Sequence, residues 1–483
     1  MSTDELYNLT VITGDEAAEI FIINGQFSRI ASGIGKQFVF KLSRGLYSVK
    51  VRAGSETKEK PVALLSDDSI TFDPIEFSSP APLEGTGKTH EFHNGNAVEN
   101  SNLVHVTIGQ GSQIYIFARN FSEKERSSTN VPLNRDPATG LTLRNSNDEV
   151  LVDYGNPDIG IYSTDWEPWS ACNVELNPGI YFLSLKTASG QTLQQTIVAS
   201  PDWQTQVFLL QRNYGLKEKD IRADLPNGSI FMSRLGMGFK SNRKDYGISD
   251  DPDFRLTEMA RQALVNDRHI ITRSIESQML DDKCNNPMLG IYGAHLLLLD
   301  KKPDTTKLLT VLGNLRKLLV QPHPDVEAIA IKLKEPSNYI FDTPPMLRLS
   351  WNYVLDASIQ KPELVPVNAI TSQISNQLWS ADPWLVWGDV HQEGATKNNL
   401  MEQFKRLLKL EGSSGDITNI SPGQLPQGVS MDMQPAAPQK SVENEYAENA
   451  DMVSKDEEKM AHFVKALGVP RGKLDEMIKN LEE

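Results

Sequence analysis

Cysteine is nearly missing from this 483-residue chain. Cys172 and Cys284 are its only two, too few and too far apart for a disulfide framework or a zinc cluster of their own, and both read as reduced thiols. Long apolar runs are missing as well. The most apolar stretch, Met288 to Leu299, is about a dozen residues long and contains His295, well short of the roughly 20 residues that cross a bilayer. No basic residue precedes Arg29, and Glu19 interrupts the first apolar run, so no secretory leader is expected and the protein is placed in the cytoplasm. Positive charge is in deficit: 48 Lys and Arg stand against 63 Asp and Glu, a net charge of −15. Such a surface repels phosphate, which argues against general nucleic-acid binding and against attachment to anionic membranes. The chain also lacks the Gly-x-Ser-x-Gly elbow, the His-Glu-x-x-His pair and the EF-hand loop, so the familiar hydrolase and calcium-site signatures are absent.

What the chain has is length for two to four domains and a change of hydrophobic period partway along. Residues 1–80 alternate at the strand period, with Leu9 and Val11, Ile20 and Ile22, Phe38 and Phe40, and Val49 and Val51, and with Asn24-Gly25 as a hairpin turn. This predicts a small all-β sandwich. The run Leu42-Ser-Arg-Gly45-Leu46-Tyr47-Ser-Val49-Lys-Val51 recurs as Leu176-Asn-Pro-Gly179-Ile180-Tyr181-Phe-Leu183-Ser-Leu185. A second β-sandwich is therefore expected over 100–212, with a long loop insertion between Ala118 and Trp169 and a linker over 81–99. The shared pattern of turn glycine, aliphatic residue and tyrosine resembles the PEGA and carboxypeptidase-regulatory-like β-sandwich modules. That resemblance implies binding or spacer modules without catalysis.

From Asp251 the period becomes helical. Prolines near expected first turns (Pro252, Pro287, Pro303, Pro324, Pro344 and Pro366) mark helix starts, and Leu308, Leu312, Leu315 and Leu319 share one face. An all-α domain of helical hairpins, bundle or solenoid, is expected over 251–410, after a hinge at 213–250. Residues 411–453 turn to Gly, Ser, Pro, Gln, Asn and acids, with Leu425 the only leucine, which predicts a disordered, protease-sensitive linker. Beyond it, residues 454–483 carry Met460, Phe463, Val464 and Leu467 on one face. Gly468 and Pro470 break the run, and Leu474, Met477, Ile478 and Leu481 form a second stripe. This helical hairpin is the expected docking tail for a protein partner. The fold class is thus multidomain α+β.

Candidate chemistry is sparse. Gly85-Thr86-Gly87-Lys88-Thr89 resembles the end of a phosphate loop, but Pro82 stands where the first glycine belongs, so a linker is the better account. His90 and His93 form the only close histidine pair, with His105 as a conceivable third ligand; solvated loop is preferred to metal site. His295 reads as a core histidine. Neither cysteine has the neighbours that activate a thiol, although an enzyme pairing Cys284 with His295 or His269 is left open. Arg234, Lys240, Arg243 and Lys244 make the one cationic, glycine-bearing stretch and are candidate contacts to an acidic partner. Trp166 and Trp169 lie beside long loops and are candidates for surface recognition of protein, glycan or peptide. Trp379, Trp384 and Trp387 read as core.

The expectation is therefore a cytoplasmic, non-enzymatic adaptor with no cofactor or metal, in a bacterial regulatory or defence assembly. Its candidate contacts are the residues above together with Phe463, Leu467, Leu474, Met477, Ile478 and Leu481. A ligand-binding protein using the second β-module is the alternative, with small-molecule ligands disfavoured. Native-state trypsin is expected to cut first after Lys440, within the 411–453 segment, as read by mass spectrometry; an uncut segment contradicts the exposed-linker reading.

Overall fold

The computed structural model describes residues 5–15, 18–54, 56–73, 75, 78–83, 91–120, 136–162, 168–213, 220–235, 252–266, 268, 273–280, 286–379, 383–388, 400–407 and 457–482. β-strands fill the N-terminal half and helices dominate the C-terminal half, as the change of period predicts. The first seven strands are β1 Leu6–Ile12, β2 Glu19–Asn24, β3 Arg29–Ile34, β4 Gln37–Ser43, β5 Gly45–Ala53, β6 Glu56–Leu64 and β7 Asp68–Thr71. They form a three-stranded sheet ordered β4-β1-β7 and a four-stranded sheet ordered β3-β2-β5-β6. Alternation puts Leu9, Val11, Phe40 and Leu42 of the first sheet against Ile20, Ile22, Val49 and Val51 of the second in one buried cluster.

The rest of the chain forms a layered body. Its strands are β8 Val106–Thr107, β9 Ser112–Arg119, β10 Leu141–Arg144, β11 Val150–Asp153, β12 Ile161–Tyr162, β13 Trp169–Leu176, β14 Gly179–Lys186, β15 Thr192–Ala199, β16 Trp203–Asn213, β17 Ile221–Ala223, β18 Ser229–Arg234, β19 Leu378–Trp379 and β20 Val386–Gly388. A seven-stranded sheet runs β12-β13-β9-β16-β17, with β8 on β13 and β18 on β16, and a six-stranded sheet runs β11-β10-β14-β15-β20-β19. The helices are α1 Glu91–Ser101, α2 Pro252–Val265, α3 Arg273–Leu280, α4 Pro287–Leu298, α5 Thr305–Leu319, α6 Pro324–Lys332, α7 Arg348–Ser358, α8 Ile370–Gln373, α9 over 400–407, α10 over 457–467 and α11 Arg471–Glu482.

Three apolar clusters bind these layers. Between the sheets, Ile116, Val174 and Val207 face Leu143, Leu183 and Leu193, and the same cluster continues into Leu289, Ile291 and Leu315 of α4 and α5. The outer face of the seven-stranded sheet presents Tyr115, Phe117, Phe208 and Phe231 to Ala97 of α1 and to Phe254 of α2. The outer face of the six-stranded sheet presents Phe182 and Trp387 to Trp351 of α7, Phe404 of α9 and Phe463 of α10.

The structure departs from the sequence reading in the segments between modules. Half of the stretch read as linker is α1, held because its Ala97 carbonyl accepts the Tyr115 hydroxyl at 3.0 Å. In the stretch read as hinge, β17 and β18 pair with β16, so residues 221–234 belong to the sheet. The second β-region has no core separate from the helices, and β19 and β20 from the helical half extend its sheet. Prolines 252, 287 and 324 do open helices. Pro344 does not: its carbonyl accepts the Thr196 hydroxyl at 2.8 Å, and the N–H groups of Met346 and Leu347 are taken by the buried Asp325 carboxylate at 3.0 and 2.9 Å, which delays the helix to Arg348.

A buried polar clip joins α2 to β18. Arg261 grips Glu258 through two hydrogen bonds of 2.9 and 2.7 Å, and Ser229 and Gln262 donate to the same carboxylate. Removing one partner leaves the other charge stranded in the core. Glu258→Ala is expected to cost about 3–5 kcal/mol in urea unfolding, whereas Glu59→Ala, whose exposed carboxylate meets Ser48, costs about 1 kcal/mol or less. Equal effects would contradict this account.

Candidate interaction surface

The two copies of the glycine–aliphatic–tyrosine run build the same local device. β5 and β14 each begin at the glycine, and each tyrosine hydroxyl returns to a carbonyl four residues back: Tyr47 to Ser43 at 2.7 Å and Tyr181 to Asn177 at 2.8 Å. From that corner the strands alternate alike. Tyr47, Val49 and Val51 face the first module's core, while Tyr181, Leu183 and Leu185 face the core between the large sheets. The residue between glycine and tyrosine therefore points outward in both. Ile180 is packed against the C-terminal helical cluster, but its counterpart Leu46 is bare at 72% exposure.

Leu46 is not alone. The β2–β3 turn lies beside it because Asn24 pairs with Tyr47. Asn24 Oδ1 accepts from the N–H groups of Gln26 and Ser28, both at 3.0 Å, and this cage holds Phe27 in the left-handed region (φ 58°), where the residue is 93% exposed. Such backbone costs a bulky residue about 1–3 kcal/mol. Leu65 follows the end of β6, whose Leu64 pairs with Gly45, and Leu6 starts β1 opposite Ser43. Phe27, Leu46, Leu65 and Leu6 therefore share one end of the sandwich, all of them exposed, with Ile30 close by on β3. The opposite end meets the helices: Asp15 pairs with Arg255 at 2.7 Å, Arg268 reaches Glu19 and the Gly54 carbonyl, and Ile34 packs against the body's core. The apolar end is the one directed away from the body.

The candidate residues read from the sequence are placed differently. Phe463, Leu467, Leu474 and Met477 are buried and Ile478 is packed against the same cluster, on Trp351, Val354 and Phe404 of this chain; only Leu481 of that set is exposed. The tail's stripe is thus occupied in cis. Trp169 lies half-buried on β13, its ring stacked on Phe117 with centroids 5.6 Å apart, and Trp166 lies outside the described residues. Arg234 ends β18 with its guanidinium 5.5 Å from the centre of the Trp203 ring; Lys240, Arg243 and Lys244 lie outside the described residues, as do Cys284, His269, His90, the 84–90 glycine stretch and the 411–453 segment. Trp384 and Trp387 are fully buried, their indole N–H groups donating to the Gly228 carbonyl and to Gln194.

Burial shifts several titratable groups among the described residues of the body. Burial pushes the Cys172 thiol up to about 12, which suits an inert core thiol. His93, read from sequence as a solvated loop residue, is buried on α1, edge-on to Phe117. Burial, helped by the Arg119 charge, lowers its pKa to about 4. His295 is fully buried on α4, 3.0 Å from the Ser350 hydroxyl and stacked on Tyr353, and burial outweighs the nearby Asp325 carboxylate to hold it near 4. Burial likewise lowers His323, whose Nδ1 accepts the Asp325 N–H at the start of α6. No cluster of three or more metal-ligating side chains exists among the described residues, and none of their helices is long and apolar enough to cross a membrane. A shallow cleft of about 540 Å³ beside α5 and α6 is lined by Leu315, Val320, His323, Tyr339 and Ile340. The chain matches no protein-family model and no curated protein.

These histidines set an acid limit. Their folded-state pKa lies below the unfolded value near 6.5, so their contribution is intact above about pH 6.5 and is lost as pH falls towards 4. Up to about 3 kcal/mol per histidine is at stake for His93 and His295. Stability measured by chemical unfolding is expected to decline through that window, and His295→Gln, although less stable at pH 7, is expected to show a flatter decline. An unchanged slope would contradict the assignment.

Proposed function

We propose that this chain is a non-enzymatic scaffold that docks a protein partner on the far end of its N-terminal β-module. The observation that carries the reading is the pair Leu46 and Ile180. They occupy the same place in two copies of one device, and where Ile180 is covered by the chain's own helices, Leu46 and its neighbours Phe27 and Leu65 are left bare. Exposed apolar groups gathered at one end of a domain are costly to keep in water and are a common mark of protein interfaces. The resemblance to PEGA-type modules agrees with a binding role for this domain. In this reading the adaptor works in the cytoplasm and needs no cofactor. The C-terminal hairpin, which sequence alone offers as the partner-binding tail, serves instead to complete the body.

The reading is tested by a photo-crosslinking amino acid placed at residue 27 in cells that make the protein, with residue 306 on the exposed face of α5 as the control. A protein adduct at 27 and none at 306 is expected. No adduct at 27 would contradict the proposal.

A further inference from the structure

We infer that the far end of the N-terminal module is a self-association surface, occupied by a second copy of this chain. The inference rests on the docking role proposed above and names its occupant. Two features of the surface select that occupant.

The first is area. Phe27, Leu46, Leu6, Leu65 and Ile30 are 93%, 72%, 59%, 57% and 45% exposed. Together they present on the order of 500 Å² of apolar surface, at the upper range of what a monomer leaves open. A two-fold contact buries that patch twice, roughly 1,000 Å² of apolar area before any polar rim is counted, which reaches the size of a specific interface.

The second is charge. β3 and β6 are opposite edges of the four-stranded sheet, so Arg29, which starts β3 with its guanidinium over the Phe21 ring, lies on one side of the apolar end, while Asp67, which follows β6 and accepts from Asn8, and Asp68, which starts β7, lie on the other; a second exposed cation, Arg44, sits in the β4–β5 turn at the same end. A surface with a cation on one flank and carboxylates on the other is complementary to itself under a two-fold rotation: each Arg29 comes to face the carboxylates of the other copy. An anionic lipid surface would be repelled by Asp67, Asp68 and Glu5, so a membrane is the poorer fit. Strand addition at β6 is also disfavoured, because its edge carries Glu56, Lys58, Glu59, Lys60 and Pro61. The outward face of β5 turns polar within one step of Leu46, at Ser48 and Lys50, which confines the contact to the end of the module. The contact is therefore end to end, and the two bodies extend away from the shared axis.

Sedimentation equilibrium of the full chain tests this directly. The wild type is expected to be a dimer, and Phe27→Asp and Leu46→Asp are each expected to weaken it by at least about 30-fold while leaving the thermal unfolding of the body unchanged. Arg29→Asp and Asp68→Arg should each weaken the dimer, and the double variant should regain most of the loss, a rescue that misfolding cannot produce. A wild type that stays monomeric to about 100 µM overturns the second-copy assignment. If that monomer still gives an adduct with a different protein at residue 27, the docking surface stands and only its occupant is wrong; if it gives none, both proposals fall.

Discussion

On β14, Tyr181, Leu183 and Leu185 point to one side of the six-stranded sheet and Ile180 and Phe182 to the other, so the strand has to be buried on both faces. The inner face is satisfied by the seven-stranded sheet and by α4 and α5. The outer face requires a separate cover, supplied by α7, α9 and the two C-terminal helices, with Trp387 of β20 filling the seam against Phe182 at 5.8 Å. Covering both faces of a sheet with one chain explains why the last residues return across a long segment to the middle of the molecule. It also explains why β19 and β20, although they lie in the helical half of the sequence, finish the sheet edge there.

The N-terminal module is built to the opposite rule. Its outward positions on β5 are Leu46, Ser48 and Lys50 where β14 has Ile180, Phe182 and Ser184, so it needs cover only at the end that carries Leu46. It is held to the body by ion pairs at Asp15 and Glu19 and by the packing of Ile34. The module is thus oriented by its inner end and offers its outer one. A scaffold needs that separation between an anchoring end and a presenting end, and the device shared by the two β-regions supplies it by varying one outward residue after another.

The strand-rich first half and the helical second half were legible in the sequence. The first module's alternation was clear because β1, β2, β4 and β5 each bury one face, and the repeat around Tyr47 and Tyr181 predicted a shared strand opening that the structure contains. What could not be read was pairing at a distance. β14 is apolar on both faces, so alternation says nothing about what covers it. α1 holds Asn94, Gly95 and Asn96, poor helix formers, and exists because Ala97 and His93 are buried on the seven-stranded sheet. β20 is three residues long, below the length at which any period shows. The stripe on residues 457–482 was visible, but whether it packs in cis or in trans depends on the matching surface of Trp351 and Phe404. The bare end of the first module was missed because Phe27, Leu46 and Leu65 are scattered in sequence and meet only through the β2–β5 and β5–β6 registers.

The central claim is that the C-terminal hairpin is part of the body's core and seals the outer face of the six-stranded sheet. Hydrogen exchange on the full chain and on a version ending at residue 453 tests it most directly. The account predicts that truncation strips protection from the amides of α7, β20 and the Phe182 end of β14 while leaving the first module's strands unchanged. Equal protection in both chains would show that the hairpin is free of the sheet and would contradict the account.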